Sequence, residues 1–329
     1  MNYIWKMSDG YPKKNGLKVF SCFACGGGST MGYKLAGFDV IGCNEIDPQM
    51  MKIYKKNHNP KIAILSDIRN LVKVKTFPKE LYDLDVLDGS PPCSVFSMAG
   101  QRETGWDKEK VFREGQKKQK LDDLFFYFIE LANILKPKVV ISENVAGLLS
   151  GNAKGYVKEI ISKFDDAGYY TQIFLLNGAT MGVPQKRERC FFISQRKDLF
   201  KNKISLSFHE KPILFKEISD DLDKKPTLNE TYTKYWLKAK EGKAVGKFNS
   251  CKKVKNMDVC NTITANQNCF HPKYIRNLNK KEIIKAGSFP SDYDFCGFDP
   301  WYVIGMSVPP VMMGKIANQV YEQIFKRKE

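Results

Sequence analysis

Leu17-Lys18-Val19-Phe20-Ser21-Cys22-Phe23-Ala24-Cys25-Gly26-Gly27-Gly28-Ser29-Thr30 runs from a short apolar segment through three consecutive glycines into helix-compatible residues, Met31 to Ala36. That order reads as strand, glycine turn, helix. Glycines there let a ligand approach the main chain. A second apolar run, Phe38 to Cys43, ends in Asn44-Glu45-Ile46-Asp47, where a doubly wound fold places an acid for ribose hydroxyls. The turn lacks the G-x-G-x-x-G spacing of a dinucleotide site. Outward from it the candidates alternate: helix Pro48 to Asn57, strand Ile62 to Leu65, strand Leu84 to Gly89, helix Asp122 to Leu135, strand Pro137 to Ser142, helix Tyr156 to Ala167, then strands Thr171 to Leu176 and Cys190 to Ser194. This alternation predicts a mostly parallel α/β sheet with helices on both faces. Leu124, Phe125, Phe128, Leu131, Ala132 and Leu135 recur at three- and four-residue steps and read as core.

The 329 residues suffice for one large or two modest domains. Nine cysteines form an odd set and Met1 to Gly16 is polar, so reduced thiols and a cytoplasmic location are expected. No apolar run approaches the roughly 20 residues of a membrane span. The formal charge of +17 points to a polyanionic partner, and residues 196–280 hold 19 Lys+Arg against 9 Asp+Glu.

Three groups at predicted strand ends supply chemistry. In Asp88-Gly89-Ser90-Pro91-Pro92-Cys93, two prolines stiffen the chain that presents a thiol. Strand Val139 to Ser142 delivers Glu143-Asn144-Val145 to the same edge, where ligands bind in such sheets. Gln185-Lys186-Arg187-Glu188-Arg189 precedes another strand and carries two arginines able to clamp an anion or a carbonyl oxygen. At another strand end, Asp67 in Ser66-Asp67-Ile68 suits either an adenine amino group or the cap of the next turn.

At these residues the chain resembles the DNA (cytosine-5)-methyltransferases of the bacterial and phage restriction-modification type. Six blocks fall in that family's order: the glycine turn 23–28, Pro92-Cys93, Glu143-Asn144-Val145, the 185–189 block, Arg276-Asn277-Leu278 with Glu282, and Gly305-Met306-Ser307-Val308. The resemblance implies a Rossmann-like S-adenosylmethionine-dependent mixed sheet flanked by helices, with a small basic target-recognition domain. It implies Cys93 as nucleophile on cytosine C6, Glu143 on N3 and the exocyclic amine, Arg189 on O2, and Arg187 supporting the loop or a phosphate. In the same way Phe23 would pack on the adenine, Glu45 take the ribose, Asp67 meet the adenine amine and Ser307 approach the methionine end. Ala24, Gly26, Gly27, Gly28, Ile46, Ile68 and Ser90 complete the implied cofactor set. Ser97, Arg102, Gln185, Lys186, Thr262 and Thr264 form the implied DNA contacts. The implied partner is double-stranded DNA met by a monomer, compatible with a restriction endonuclease that acts on the same site without direct contact.

Four positions depart from the family's commonest residues: Ser21 for Asp, Cys25 for Gly, Ser94 for Gln and Met306 for Asn. Cys251, Cys260, Cys269 and His271 are too widely spaced for zinc, and no metal is expected. Gly100 to Lys120 has the composition of a closing loop. From about residue 195 the βα alternation gives way to lysines interleaved with aromatic residues, among them Phe208, Phe215, Tyr232, Tyr235, Trp236, Phe248 and Phe270. The expected division is therefore 1–194 catalytic and cofactor-binding, 195–275 target recognition, and 276–329 returning to the first domain. Two rival readings share the scaffold. A Dnmt2-like tRNA methyltransferase is one, although Asn268-Cys269-Phe270-His271 lacks the Thr of that family's Cys-Phe-Thr element. An idle DNA-binding protein is the other, and its hallmark would be a lost nucleophile, acid or arginine.

Overall fold

The computed structural model describes residues 1–92, 123–244, 251–266 and 269–326; Cys93, Ser94, Ser97, Arg102, the 100–120 loop, Phe248 and Asn268 lie outside them. In chain order the front part runs β1 (Lys18–Cys22), α1 (Gly28–Leu35), β2 (Asp39–Glu45), α2 (Pro48–His58), β3 (Ile62–Leu65), α3 (Ile68–Leu71) and β4 (Val86–Gly89). It continues with α4 (Leu124–Leu135), β5 (Val139–Val145), α5 (Lys154–Asp166), β6 (Tyr169–Asn177) and β7 (Glu188–Arg196). The seven strands form one sheet in the order β3-β2-β1-β4-β5-β7-β6. Only β7 runs against its neighbours. The link from β6 to β7 contains no crossover helix, so an antiparallel pair is what it permits. The expected mixed sheet flanked by helices is therefore the observed one.

Both faces of the sheet are buried, and successive residues of one strand serve opposite layers. Phe20, Leu87, Val140 and Phe192 pack with Phe125, Phe128 and Leu131 of α4 and with Ile160 and Phe164 of α5. Val19, Val86, Val139, Ile141 and Ile193 pack with Tyr33 of α1 and with Val311, Met312 and Ile316 of a C-terminal helix. The apolar stripe read from residues 124–135 is thus core.

Beyond β7 the described elements are α6 (Phe215–Ile218), α7 (Glu230–Lys238), a two-residue parallel pairing of Lys252–Lys253 with Cys269–Phe270, α8 (Lys280–Ala286), α9 (Pro300–Met306) and α10 (Pro310–Val320). A third apolar cluster joins Met31, Met50 and Ile53 of α1 and α2 to Phe215, Val254, Ile263, Ile283, Trp301 and Val303. Of the aromatic residues noted between 195 and 275, Phe215 and Phe270 are core, whereas Tyr232 and Tyr235 are exposed. The C-terminal helix is α-helical to Val320 and ends in a π-helical turn, Tyr321–Phe325. None of the helices formed by the described residues is long and apolar enough to cross a membrane.

α10 lies against α1 at Gly32, where an added Cβ would sit 2.5 Å from the Met313 Cβ, 2.7 Å from the Pro310 carbonyl oxygen and 2.8 Å from the Gly314 nitrogen. Two of these are backbone atoms that cannot swing aside. Gly32→Ala would gain about 1 kcal/mol of helix propensity and lose roughly 1–3 kcal/mol or more to overpacking. The expected result is a lower melting temperature, read by thermal unfolding; an unchanged or higher value would show that the α1–α10 crossing can open.

Candidate active site at the carboxyl edge of the sheet

β1, β2, β3 and β4 point their carboxyl ends at one edge, and β5 joins them there. The turn after β1 is held in left-handed backbone at Phe23 (φ 53°), Cys25 (φ 47°) and Gly27 (φ 83°). A non-glycine residue carries strain there, which gives Cys25 a physical meaning as a departure from Gly. The next three positions need glycine for a reason other than the expected one. A Cβ would stand 2.5 Å from Val303 Cγ1 at Gly26, 2.1 Å from His58 Nε2 at Gly27 and 2.2 Å from the Val308 carbonyl oxygen at Gly28. The protein's own side chains and backbone fill the space that the sequence reading reserved for a ligand. His58 Nε2 lies 3.1 Å from the Gly26 carbonyl oxygen, which Tyr293 also contacts through its hydroxyl. Burial drives the His58 pKa down to about 3.

A cavity opens beside the turn. Phe23, Glu45, Ile46, Asp67, Ile68 and Ser90 of the expected set line it. Ala24, Gly26, Gly27, Gly28 and Ser307 are not among its lining residues; Ser307 is buried and donates its hydroxyl to the Val303 carbonyl at 2.7 Å. Met50, Leu124 and Tyr302 also line it and were not anticipated as site residues, because each reads in sequence as ordinary core. Met306, noted only as a departure, is exposed on the wall.

The acids of this cavity are already engaged. Glu45 is buried, and its carboxylate accepts from the main-chain N–H groups of Cys25 (2.7 Å), Ile46 (2.8 Å) and Asp47 (2.9 Å). A carboxylate offers about four lone pairs, so about one remains for a ligand hydroxyl. Burial raises the Glu45 pKa, against the pull of those N–H donors. Asp67 caps α3 by accepting from Arg69 N at 2.8 Å and pairs with the same residue's Nη1 at 3.0 Å. Arg69 Nη2 reaches Asp123 at 3.0 Å, which ties the end of β3 to the start of α4. Of the two readings of Asp67, the cap is the observed contact. Burial, with Glu45 beside it, pushes the Cys25 thiol up to about 12, so it stays protonated.

A second group of side chains stands at the ends of β5 and β7. The antiparallel register sets Val145 opposite Arg189 and Glu143 opposite Phe191. Residues two apart share a face, so Glu143 and Arg189 project together, and Arg189 Nε meets Glu143 Oε1 at 2.9 Å with both side chains mostly buried. Between them in sequence, Asn144 donates from Nδ2 to the Pro91 carbonyl at 3.1 Å and accepts from Val145 N at 2.9 Å. The middle residue of Glu-Asn-Val thus holds the backbone that leads into Cys93. Pro92, the last residue described before Cys93, lines the cavity with Ser90.

Gln185 requires correction as a contact to DNA, and of the two readings of Arg187 the support of a loop is the observed one. Arg187 is 3% exposed, and its Nη1 and Nη2 donate to the Ile263 and Gly305 carbonyls, both at 3.0 Å. Burial, aided by Arg189, lowers its pKa to about 9, which leaves it charged at neutral pH. Gln185 is 1% exposed; it donates to the Ala286 carbonyl at 3.1 Å and accepts from Ile263 N at 2.9 Å. A side chain sealed in this way has no face to offer a phosphate. Lys186 is exposed and paired with Asp258 at 2.7 Å. Thr262 donates its hydroxyl to the Lys186 carbonyl and Thr264 to the Asn266 carbonyl, so both lie at this edge with their hydroxyl protons used internally.

One buried carboxylate was not anticipated. Asp88 sits opposite Ser21 and Ile141 in the parallel register and accepts from Ser21 Oγ at 2.6 Å and the Tyr33 hydroxyl at 3.3 Å. Ser21 is where the resembling family has its Asp, so the acid here stands on the neighbouring strand. Burial raises the Asp88 pKa to about 7 despite donors from Ser21, Tyr33 and Ser29, with the Glu143 charge adding to the rise.

A seven-stranded sheet with one reversed strand, a cavity at the carboxyl edge and an acid–arginine pair near it define an α/β protein of the ligand-at-the-edge class. A family model for C-5 cytosine-specific DNA methylases matches residues 17–322, and the chain belongs to that family. Among curated relatives it is similar to the type II methyltransferase M.FnuDI of Fusobacterium nucleatum, 37% identical over 56% of this chain and 48% of that protein. Across that match the chain spans about half the length of the relative. It is also similar to the type II methyltransferase M.Bsp6I of a Bacillus species, 27% identical over 94% of this chain and 99% of that protein. Among solved structures, a prophage-encoded E. coli protein described as a DNA modification methyltransferase shares the fold with a TM-score of 0.71. It is 19% identical and covers 94% of this chain and 100% of its own.

Two expectations follow from the buried groups. Gln185→Leu would strand the Ile263 N–H and the Ala286 carbonyl, at about 1–3 kcal/mol each; chemical unfolding should show the loss, while DNA affinity per folded molecule stays the same. For Asp88, the folded pKa of about 7 exceeds the unfolded value near 3.9, so the folded state holds the extra proton and stability falls as pH rises from about 4 to 7. Asp88→Asn should therefore raise the melting temperature at pH 8, by an amount equivalent to about 2–4 kcal/mol, and change it little at pH 4. An equal effect at both pH values would show that the carboxyl proton is not what burial controls.

Proposed function

We propose that this protein methylates C5 of cytosine in double-stranded DNA, with S-adenosylmethionine as donor and Cys93 as covalent nucleophile. The observation that carries the reading is the Glu143–Arg189 pair at the edge where Asn144 holds Pro91, two residues before Cys93. The cavity beside it suits an adenosyl group: Phe23, Leu124 and Ile46 give apolar walls, and the remaining lone pair of Glu45 suits a ribose hydroxyl. Ile68 and Ser90 complete that wall. Ala24, Gly26, Gly27, Gly28 and Ser307 serve from behind it, by shaping the turn. S-adenosylmethionine, when bound there, supplies the methyl group.

The chain's own residues prepare the base. Cytosine C5 is a weak nucleophile, and addition of the Cys93 thiolate to C6 makes it enamine-like. Glu143 hydrogen-bonds N3 and the exocyclic amine, and Arg189 binds O2 and offsets the charge that develops on the ring. In the observed pair the two side chains hold each other in register for that task. Once C5 carries the methyl group, loss of its proton to solvent water and departure of Cys93 as a thiolate, with the C6–S electron pair, restore the aromatic ring. C6 is not reachable by the thiolate within a stacked duplex, so the base is extruded. The nucleophile must be a free thiol, which a reducing compartment preserves. Arg187 acts by positioning, through the Ile263 and Gly305 carbonyls. Ser97 and Arg102 belong to the DNA side of the site on this reading, with Lys186, Thr262 and Thr264 near the backbone. Residues 1–194 form the catalytic part, 195–275 the part that selects the target, and 276–329 the return. The relatives' type II designation supports a restriction-modification role for this chain as well.

Incubation with S-adenosylmethionine and a duplex carrying 5-fluorocytosine tests this directly, because fluorine cannot leave as the proton does. A denaturant-resistant adduct at Cys93 is expected, and sequencing around the trapped base reads out the target. Cys93→Ser should form no adduct yet still bind duplex. Glu143→Gln should slow transfer by at least about 100-fold, the scale of general acid–base catalysis, with cofactor binding retained. Turnover by Cys93→Ser would end the covalent mechanism, and wild-type rates in Glu143→Gln would remove Glu143 from it.

A further inference from the structure

We infer that α7, with the lysines flanking it, is the element that enters a groove of the DNA and decides which cytosine is presented; this rests on the function proposed above. The charge of the chain is concentrated here. Residues 224–255 contain ten lysines against two acids, Glu230 and Glu241. These 32 residues therefore account for a net +8 of the chain's +17.

The helix itself is built for presentation. None of its nine residues is buried, and isolated helices shorter than about 12–15 residues are marginal in water. It is held from one side. Trp236 donates its indole N–H to the His271 carbonyl at 2.8 Å, and Lys253 Nζ lies 3.5 Å from the centroid of the same ring. Asn229 caps the start by accepting from Tyr232 N, and the Tyr232 ring lies 6.3 Å from that of Phe270. On the other side, Thr231, Lys234, Tyr235 and Lys238 follow one another at i, i+3, i+4 and i+7 and all are exposed. Leu237, beside them, is 65% exposed.

That stripe has the chemistry of a groove reader. Two ammonium groups suit phosphates, Lys238 and also Lys234, which exchanges its exposed pairing with Glu230 at 2.6 Å for one, and the hydroxyls of Thr231 and Tyr235 donate to or accept from base edges. An α-helix of about 10–12 Å diameter fits a major groove about 12 Å wide. The supporting platform is tied to the catalytic edge. Lys252 and Lys253 pair with Cys269 and Phe270, Cys260 pairs with Gln185, and Thr262 bonds Lys186. The seven residue steps from Lys253 to Cys260 reach at most about 25 Å, less than the roughly 34 Å of one duplex turn. A helix on this platform and a base at the Glu143–Arg189 pair can therefore be served by one short site.

The test uses full-length protein, wild type and two surface variants whose folding is checked by thermal unfolding: Lys234→Ala/Lys238→Ala and Tyr235→Ala. Binding to a duplex is measured by fluorescence anisotropy over a range of salt, and a plasmid methylated by each protein is sequenced at base resolution. The double lysine variant should bind all sequences about 10-fold or more weakly, with the salt slope reduced by about two. Tyr235→Ala should keep the salt slope and methylate sites that differ from the wild-type target at one or two positions at least about 10-fold more often. Variants indistinguishable from wild type in slope, affinity and methylated sequence would overturn the assignment of α7 while leaving the methyltransferase reading intact. A wild-type protein that binds no duplex, or that prefers a folded RNA to it, would overturn both.

Discussion

The buried guanidinium of Arg187 is the constraint on which the rest of the site depends. It carries a positive charge into a place that is 3% exposed, and its two Nη groups are satisfied by main-chain carbonyls of Ile263 and Gly305 rather than by an acid. Such an arrangement is costly unless the carbonyls are held in place. They are, because Gln185 fixes Ile263 from its N–H side and reaches Ala286 as well. Three stretches far apart in sequence, the start of β7, the strip around residue 263 and the end of α9, therefore meet at one point. Two residues further on, Arg189 inherits that rigidity and meets Glu143 from a fixed base.

The sheet was legible because its signals are local. Short apolar runs, glycines and the stripe of α4 each carry a period that belongs to one element, and they place β1 to β5 with little error. The reversed β7 was not legible as such, since direction depends on how β6 connects to it and not on composition. The placement of Glu143, Arg189, Glu45 and Ser90 at one edge was legible, because each stands at a strand end. The site was misread at Gln185, a polar type that suits DNA but is sealed inside, and left open at Arg187, where the loop and not a phosphate is what the side chain holds. No pattern within the 185–189 block separates an arginine that pairs with an acid from one that faces two carbonyls. Arg187 stands one residue before β7, and what covers it comes from the strip at residue 263 and from the end of α9, 76 and 118 positions away.

The glycine turn shows a related limit. Three glycines in a row suggest a cradle for a ligand, yet here Val303, His58 and Val308 occupy the space. The cavity lies one step further out, against Phe23, Glu45 and Met50. The turn shapes that cavity from behind, with Glu45 gathering the N–H groups of residues 25, 46 and 47 into one carboxylate. The acid that the family resemblance expects at residue 21 is met from across the sheet by Asp88, a contact visible only once β1 and β4 are in register.

Trp236 is the main anchor of α7, and nothing on that helix's outer stripe is enclosed by the rest of the protein. Replacing those outer residues removes little packing, so their identity is almost invisible to folding. The edge beneath Glu143 and Arg189 is the reverse case, where a change at Gln185 or Arg187 unseats several segments together. Variation can therefore accumulate on the helix at small risk to the fold beneath it, and on the inference that α7 reads the DNA, a lineage built on this plan can acquire a new target without first having to rebuild its core.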